Sequence, residues 1–411
     1  MISRHSWPVV VLRTAFVIFA FIFGTLGIRL LQELGGVVFS RHPALFHACV
    51  ALTKSHFLAL LTFLTALVNP TAVSVTWDAR QMSLLRFEVR AGHLHLTLAD
   101  NAVWILNHQI YTDWLFWWFL AYTGGHAGAA YIVLKENLAK IPVLGPGMRR
   151  FRFMFLLRKW ATDKLRLTLQ LLELDANARG MGPVAGVTCA ASESSRLPGV
   201  RQWPPGHGLV AANYHLIVYP EGTVMSPHTR ERLDKFCASI NRPPLRHVLL
   251  PRARGLFLML RLLRGSVDVV YDLTTGYTGL GPEQYGEEVF TLKAYYLFGY
   301  GPRKINFAVR TWNLADIPLG PDDGNIDVDD VDPQVMRQFE EWLYDAWYAK
   351  DELMLRFFAT GLFEGEETKT VEAPFQLRSP LEALAPFVPL LTLVLMLYLS
   401  VRLISFAWSL L

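Results

Sequence analysis

Cysteine is scarce and scattered: Cys49, Cys189 and Cys237 are too few and too far apart to outline a disulfide framework. They read as reduced thiols, and none has the local setting of a nucleophile. Charge is scarce too, at 18% of residues against 52% hydrophobic residues gathered in blocks near both ends. That distribution points to a membrane protein. Paired-cysteine zinc spacing and aromatic-basic strands are missing, which leaves specific nucleic-acid binding without support. No tight histidine-carboxylate cluster suggests a metal, and His93, His95, His215, His228 and His247 read as polar or structural side chains. The acidic run at residues 321–332 lacks calcium-loop order and reads as a solvated turn. Neither a nucleophile-elbow serine nor an internal repeat is evident.

What is present begins with a small positive excess, +4 over 411 residues. Such a charge favours anionic lipid or an anionic cofactor as company. Residues 9–34 are apolar and long enough to cross a hydrocarbon layer of about 30 Å, with Arg13 and Arg29 placed to snorkel toward opposite interfaces. The length of this run, and the lack of a small-residue cleavage site after it, favour an uncleaved anchor over a signal peptide. Residues 48–68 contain an uninterrupted apolar run from Phe57 to Val68 that either spans the bilayer or lies in its interface. Residues 384–401 make a further span or interfacial helix, with Pro386 and Pro389 near its start. Three regions follow: a membrane-anchoring segment over 1–72, a catalytic domain over 73–375, and a hydrophobic membrane-associated region over 376–411.

Within the middle region, short apolar runs at 94–98, 103–106, 129–134, 210–218 and 247–250 read as strands. Helical patterning covers 164–177, 229–240 and 332–347, and the alternation predicts an α/β fold with a mixed β-sheet flanked by helices. Residues 190–206, rich in serine, glycine and proline, read as a connecting loop.

The chemistry concentrates in four blocks. Asn107-His108-Gln-Ile-Tyr-Thr-Asp113-Trp114 falls at a strand end and the opening of a helix. There the imidazole of His108 can take a proton from an alcohol while Asp113 orients its other nitrogen and stabilises the charge that develops. Backbone donors near the helix start are candidates for a developing oxyanion, and this division of labour suits acyl transfer. Tyr219-Pro220-Glu221-Gly222-Thr223 makes a polar turn after an apolar strand. Gly222 permits close approach there, Thr223 offers a hydroxyl, and Glu221 accepts a hydrogen bond or holds a basic residue. Pro251-Arg252-Ala253-Arg254-Gly255, if extended, puts both arginines on one face for a phosphate. Residues 135–158 add Lys135, Lys140, Arg149, Arg150, Arg152 and Arg158 as a basic rim over an apolar channel. Each block also has a plain structural reading, as helix surface, strand-to-loop turn, internal salt bridging or interfacial basic face.

In their order, the four blocks resemble those of the glycerophospholipid acyltransferase family, especially its lysophosphatidic-acid and lysocardiolipin-type branches. The resemblance covers roughly residues 101–275 and rests on Asn107, His108 and Asp113, on Arg158 within the second block, on Tyr219 to Thr223, and on Val248 to Gly255. It implies an α/β acyltransferase domain, acyl-CoA as co-substrate with no tightly bound cofactor and no metal, and lysophosphatidic acid or another lysophospholipid as acceptor at a free glycerol hydroxyl, expected at sn-2. It further implies His108 as base oriented by Asp113. Arg158, Glu221, Gly222, Thr223, Arg252 and Arg254 are implied around the acceptor phosphate, supported by Asn107, Pro220 and Pro251. Val224 departs from the pattern, since many relatives carry a basic residue after the glycine-threonine pair. The endoplasmic reticulum membrane is the expected compartment, with a mitochondrial membrane as the alternative. A transacylase using a diacyl lipid as donor, and a non-catalytic lipid-binding scaffold, are the competing functions. The sequence does not set the oligomeric state.

Overall fold

The computed structural model describes residues 6–78, 85–191, 200–322, 324 and 327–409. Two long apolar helices lead, α1 (Trp7–Val38) and α2 (Pro43–Val68), each with proline in its first turn, where a missing amide hydrogen costs nothing. Next come β1 (Ala72–Asp78), a hairpin of β2 (Arg86–Arg90) and β3 (His93–Thr97), then β4 (Ala102–Leu106) and α3 (Asp113–Thr123). The chain continues through β5 (Ala130–Lys135), α4 (Leu144–Arg150), β6 (Met154–Leu156) and α5 (Trp160–Ala178). A small pair, β7 (Ala190–Ala191) and β8 (Arg201–Gln202), precedes β9 (His215–Val218), α6 (Pro227–Ser239), α7 (Ala253–Leu262) and β10 (Val269–Thr278). Short α8 (Gly286–Val289) and α9 (Leu292–Tyr296) lead to β11 (Lys304–Asn313), α10 (Pro333–Thr360), β12 (Thr368–Pro374) and α11 (Val388–Ser409).

Eight strands form one mixed sheet in the order β12-β1-β11-β10-β4-β9-β5-β6. The run Ala-Val-Trp-Ile-Leu of β4 is buried throughout because parallel neighbours, β9 and β10, flank it and helices cover both faces. The longer β10 and β11 pair antiparallel, and β12 closes the edge antiparallel to β1. One apolar cluster, with Phe57, Trp104, Phe116 and Trp118, joins α2 and α3 to the sheet. The other, with Leu171, Phe257 and Trp347, joins α5, α7 and α10. This is the α/β architecture expected, a mixed sheet flanked by helices.

Several elements differ from expectation. Residues 247–250 form no strand, and the first two of their backbone donors go to a side chain instead of a ladder: Asp351 Oδ1 accepts from His247 N at 2.6 Å and Val248 N at 3.2 Å. Residues 210–214 stay outside β9. Helix α10 runs well past Trp347 to Gly361, whose φ of 77° ends it in the left-handed region.

Among the described residues, three helices are long and apolar enough to cross a membrane. They differ in what surrounds them: burial inside the protein reaches 61% of the most apolar stretch of α2, against 28% for α1 and 6% for the C-terminal helix. Lys54, midway along α2, is fully buried, donating from Nζ to Ala130 O at 2.8 Å and lying 3.7 Å from the centre of the Tyr131 ring. One side of α2 is therefore protein core.

Candidate active site

β4 ends at Leu106 and α3 begins at Asp113, so the first block becomes the tight turn between strand and helix. Asn107 anchors its entry. Its amide donates to Thr275 O at 3.1 Å and its oxygen accepts Thr275 N at 2.8 Å, locking the strand end to β10. The turn then brings His108 Nδ1 to 2.7 Å from Asp113 Oδ2. A regular helix would splay residues five apart, and the turn's curvature brings them together.

Asp113 is 1% exposed and fully engaged. Oδ2 also accepts the backbone amides of Gln109 at 2.7 Å and Ile110 at 3.1 Å, while Oδ1 accepts the hydroxyl of Tyr277 from β10. A desolvated carboxylate with this many donors has one available orientation. The His108 ring stacks on Tyr219 at a centroid distance of 4.4 Å, and its side chain stays 19% exposed. Nε2 has no protein hydrogen-bond partner among the described residues. The arrangement holds one nitrogen against a carboxylate and offers the other to a ligand.

The backbone of the turn is committed elsewhere. Glu221 Oε2 accepts His108 N at 3.2 Å, and Asp113 takes the next two amides. Residues 108–110 thus have no backbone donor left for an oxyanion.

Glu221 supports the turn from the end of β9. Its other oxygen, Oε1, accepts Trp347 Nε1 at 3.2 Å from α10. Burial pushes the carboxyl up to about 8, opposed by the Trp347 and His108 N–H donors and the nearby Lys350 ammonium. Lys350, itself fully buried, donates to Leu273 O at 2.6 Å and pairs with Asp272, which Arg310 also holds at 2.6 Å. A buried ionic cluster therefore stands behind Glu221. The third block is thus a brace beneath His108, with Pro220 buried and Thr223 half-buried.

Cationic groups converge on Gly222, whose φ of 74° suits a residue without Cβ. Arg158, itself in the left-handed region at φ 62°, donates from Nη2 to Gly222 O. A Cβ on Gly222 would lie 3.6 Å from Arg252 Nε, so the two guanidiniums flank one glycine. Burial, then the positive charge of Arg252, lowers Arg158 from its ordinary value, and neither arginine has an ion-pair partner among the described residues. Lys135 is lowered by burial and by the same Arg158. Arg158 and Arg252, crowded together and without ion-pair partners among the described residues, attract an anion. The backbone at Arg252 donates to Pro220 O at 2.9 Å, tying the fourth block to the third, and Pro251 is buried beside it.

Arg254 sits apart. The expected extended face shared with Arg252 does not form, because α7 starts at Ala253 and helical geometry turns residues two apart to different sides. Arg254 lies 3.9 Å from Asp329 and packs over Trp160 at 5.5 Å. Within the basic rim, Arg150 pairs with Glu33, Arg152 with Glu173 and Arg149 approaches Glu136 at 4.0 Å, so much of its charge is internally matched. Val224 is 5% exposed, and a basic residue there would be desolvated. Among the described residues no group of three histidine, cysteine or acidic side chains could hold a metal.

Sequence reasoning missed Tyr277, Trp347 and Lys350. Tyr277 lies in a strand that the apolar-run criterion passed over, and Trp347 and Lys350 look like one face of an amphipathic helix.

The chain matches the Acyltransferase family over residues 88–274. It is 36% identical to a 2-acyl-1-lysophosphatidylinositol acyltransferase of Saccharomyces cerevisiae, over 84% of this chain and 85% of that protein. Identity is 27% to a probable 1-acyl-sn-glycerol-3-phosphate acyltransferase of Arabidopsis thaliana, over 78% of this chain and 66% of that one. To a lysocardiolipin acyltransferase of Danio rerio it is 24%, over 64% of this chain and 53% of the relative.

Proposed function

Because this chain belongs to the acyltransferase family, we propose that it transfers an acyl group from acyl-CoA to a free glycerol hydroxyl of a lysophospholipid, with His108 as general base and Asp113 as its orienting carboxylate. The observation that carries the mechanism is the 2.7 Å bond from His108 Nδ1 to a buried Asp113, with Nε2 left for the acceptor. His108 Nε2 takes the hydroxyl proton as the oxygen attacks the thioester carbonyl. The tetrahedral adduct collapses, the C–S bond breaks, and the imidazolium returns its proton to the leaving thiolate. Asp113 stabilises the transient imidazolium and takes no part in bond making. Arg158 and Arg252, flanking Gly222, bind phosphate of the acceptor, and Thr223 lies on the same turn. Arg254 contributes field from beyond its contact with Asp329.

The acceptor hydroxyl is at sn-2 for a 1-acyl lysophospholipid such as lysophosphatidic acid, the substrate type in the plant relative's name. A second reading is favoured by the greater identity to the yeast relative, whose name denotes an acceptor already acylated at position 2: transfer to sn-1 of a lysophosphatidylinositol. The endoplasmic reticulum membrane is the proposed site of action, with apolar α1, α2 and α11 meeting the lipid.

The test is detergent-purified protein with labelled acyl-CoA and position-defined lysophosphatidic acid, lysophosphatidylinositol and lysocardiolipin, with products read by mass spectrometry. A diacyl product that forms only with acyl-CoA supports the proposal. Product formed without CoA thioester, from a diacyl donor, replaces it with transacylation, and no product from any donor leaves lipid binding alone.

A further inference from the structure

Asp113 is the buried hub of the turn, and three of its four donors come from residues 108–110, all at Oδ2. The fourth comes from far along the chain. Tyr277 on β10 donates its hydroxyl to Oδ1, the oxygen that nothing else among the described residues holds. Tyr277 is 1% exposed, packed between Phe116 and Phe290 at centroid distances of 6.0 and 6.4 Å. Its ring is thus fixed independently of the bond. β10 carries it to the turn because Leu273 pairs with Leu106 in parallel register, placing residues 275–277 beside residues 107 and 108 as both strands end. Asn107, bonded twice to Thr275, fixes that alignment.

We propose that Tyr277 is a positioning residue for the acyl transfer, holding Asp113 so that His108 presents Nε2 to the acceptor; this rests on the general-base reading of His108. Both oxygens of a buried carboxylate need a donor. A carboxylate satisfied on one oxygen alone, and as shielded from solvent as Asp113 is, rotates toward another donor or draws the shared proton from the imidazole. With Tyr277 donating to Oδ1, negative charge is shared between the two oxygens, and the proton on Nδ1 stays with the histidine. Burial raises the phenol far above its ordinary value, so it remains a donor across the working pH range. The titratable groups facing this chain of bonds are Tyr219 and Glu221 from the end of β9, Tyr295 from α9 and, behind Glu221, Lys350 from α10. Tyr277 lies just outside the segment matched by the family, residues 88–274.

Tyr277→Phe keeps the ring and deletes the hydroxyl. We expect kcat to fall about tenfold, a loss of the size of one buried hydrogen bond to a charged group, with KM for acyl-CoA and acceptor within twofold of the parent. The acidic limb of the rate profile should move to higher pH, since a carboxylate lacking one donor holds an imidazolium more tightly. Asp113→Asn, which removes the charge Tyr277 acts on, should shrink the Tyr277→Phe effect in the double variant. A role in packing alone would lower the melting temperature and leave kcat and the pH profile of the folded fraction unchanged, which overturns the proposal. Ethoxyformylation of His108, followed at its peptide by mass spectrometry over pH, gives a readout that needs no turnover. If the parent protein itself shows no acyl transfer, the acyltransferase mechanism fails, and the reactivity profile still decides: a profile displaced in Tyr277→Phe supports the Tyr277-Asp113-His108 chain, and a superimposable one sinks it.

Discussion

Trp347, on α10, holds Glu221 Oε1 at 3.2 Å, while the other oxygen of that carboxylate accepts the backbone amide of His108. A helix late in the chain thereby supports the turn that carries His108. Trp347→Phe keeps most of the packing and leaves Oε1 without its donor. Unfolding in detergent should show a loss of about 1–3 kcal/mol, the cost of a buried acceptor left unmet, accompanied by reduced turnover. A variant as stable and active as the parent would show that this bond carries nothing.

His108→Ala removes the proposed proton acceptor and touches no membrane helix. Turnover should drop about 10²–10⁴-fold, the range for general-base catalysis, while membrane retention and melting temperature stay near those of the parent. Acyl transfer at parental rates would refute His108 as the base.

Arg158→Ala and Arg252→Ala should each raise KM for the acceptor by about tenfold, with smaller effects on kcat, as expected for loss of a charged hydrogen bond to phosphate. Arg158→Lys keeps charge but loses the planar fork and should recover only part of the affinity. Arg254→Ala should matter less, because Arg254 faces Asp329 and Trp160. The measurement is initial rate against acceptor concentration, and unchanged KM in both Arg158 and Arg252 variants would remove them from the phosphate site.

Glu221 gives a pH signature. Its folded value of about 8 lies above the ordinary 4.5, so the folded protein holds this proton more tightly than the unfolded chain. The resulting stabilisation is complete below about pH 4.5, declines as pH rises through the interval, and is gone above about pH 8. Glu221→Gln carries no such proton. Its melting temperature, relative to the parent, should therefore climb by a few degrees between pH 5 and pH 8. Parallel curves across that range would mean that Glu221 is ionised throughout.

Local geometry was readable from the sequence wherever neighbours in the chain are neighbours in space. His108 and Asp113 sit in one turn, and the apolar ends and the alternation of strands with helices carry their own periodicity. What escaped depended on strand order. β10 contains Asp272, three threonines and Gly276, so it does not read as apolar, yet it is buried between β4 and β11 because Arg310 and Lys350 neutralise Asp272. Arg252 and Arg254 looked alike until the helix start between them separated their directions. Residues 247–250 looked like a strand because burial, which they do have, leaves the same apolar trace as a ladder, which they lack.

The segment that carries the family pattern, residues 88–274, is not a transplantable part. Grafted into another scaffold, it would bring His108, Asp113 and Glu221 but neither Tyr277 nor Trp347, and each carboxylate would arrive with one oxygen facing nothing. It would also cut β10 after Thr274 and leave the remainder without β11, its antiparallel partner. The smallest exchangeable unit is the whole sheet from β1 to β12 together with α10, so recombination within this fold must swap residues more than two hundred positions apart as one inheritance.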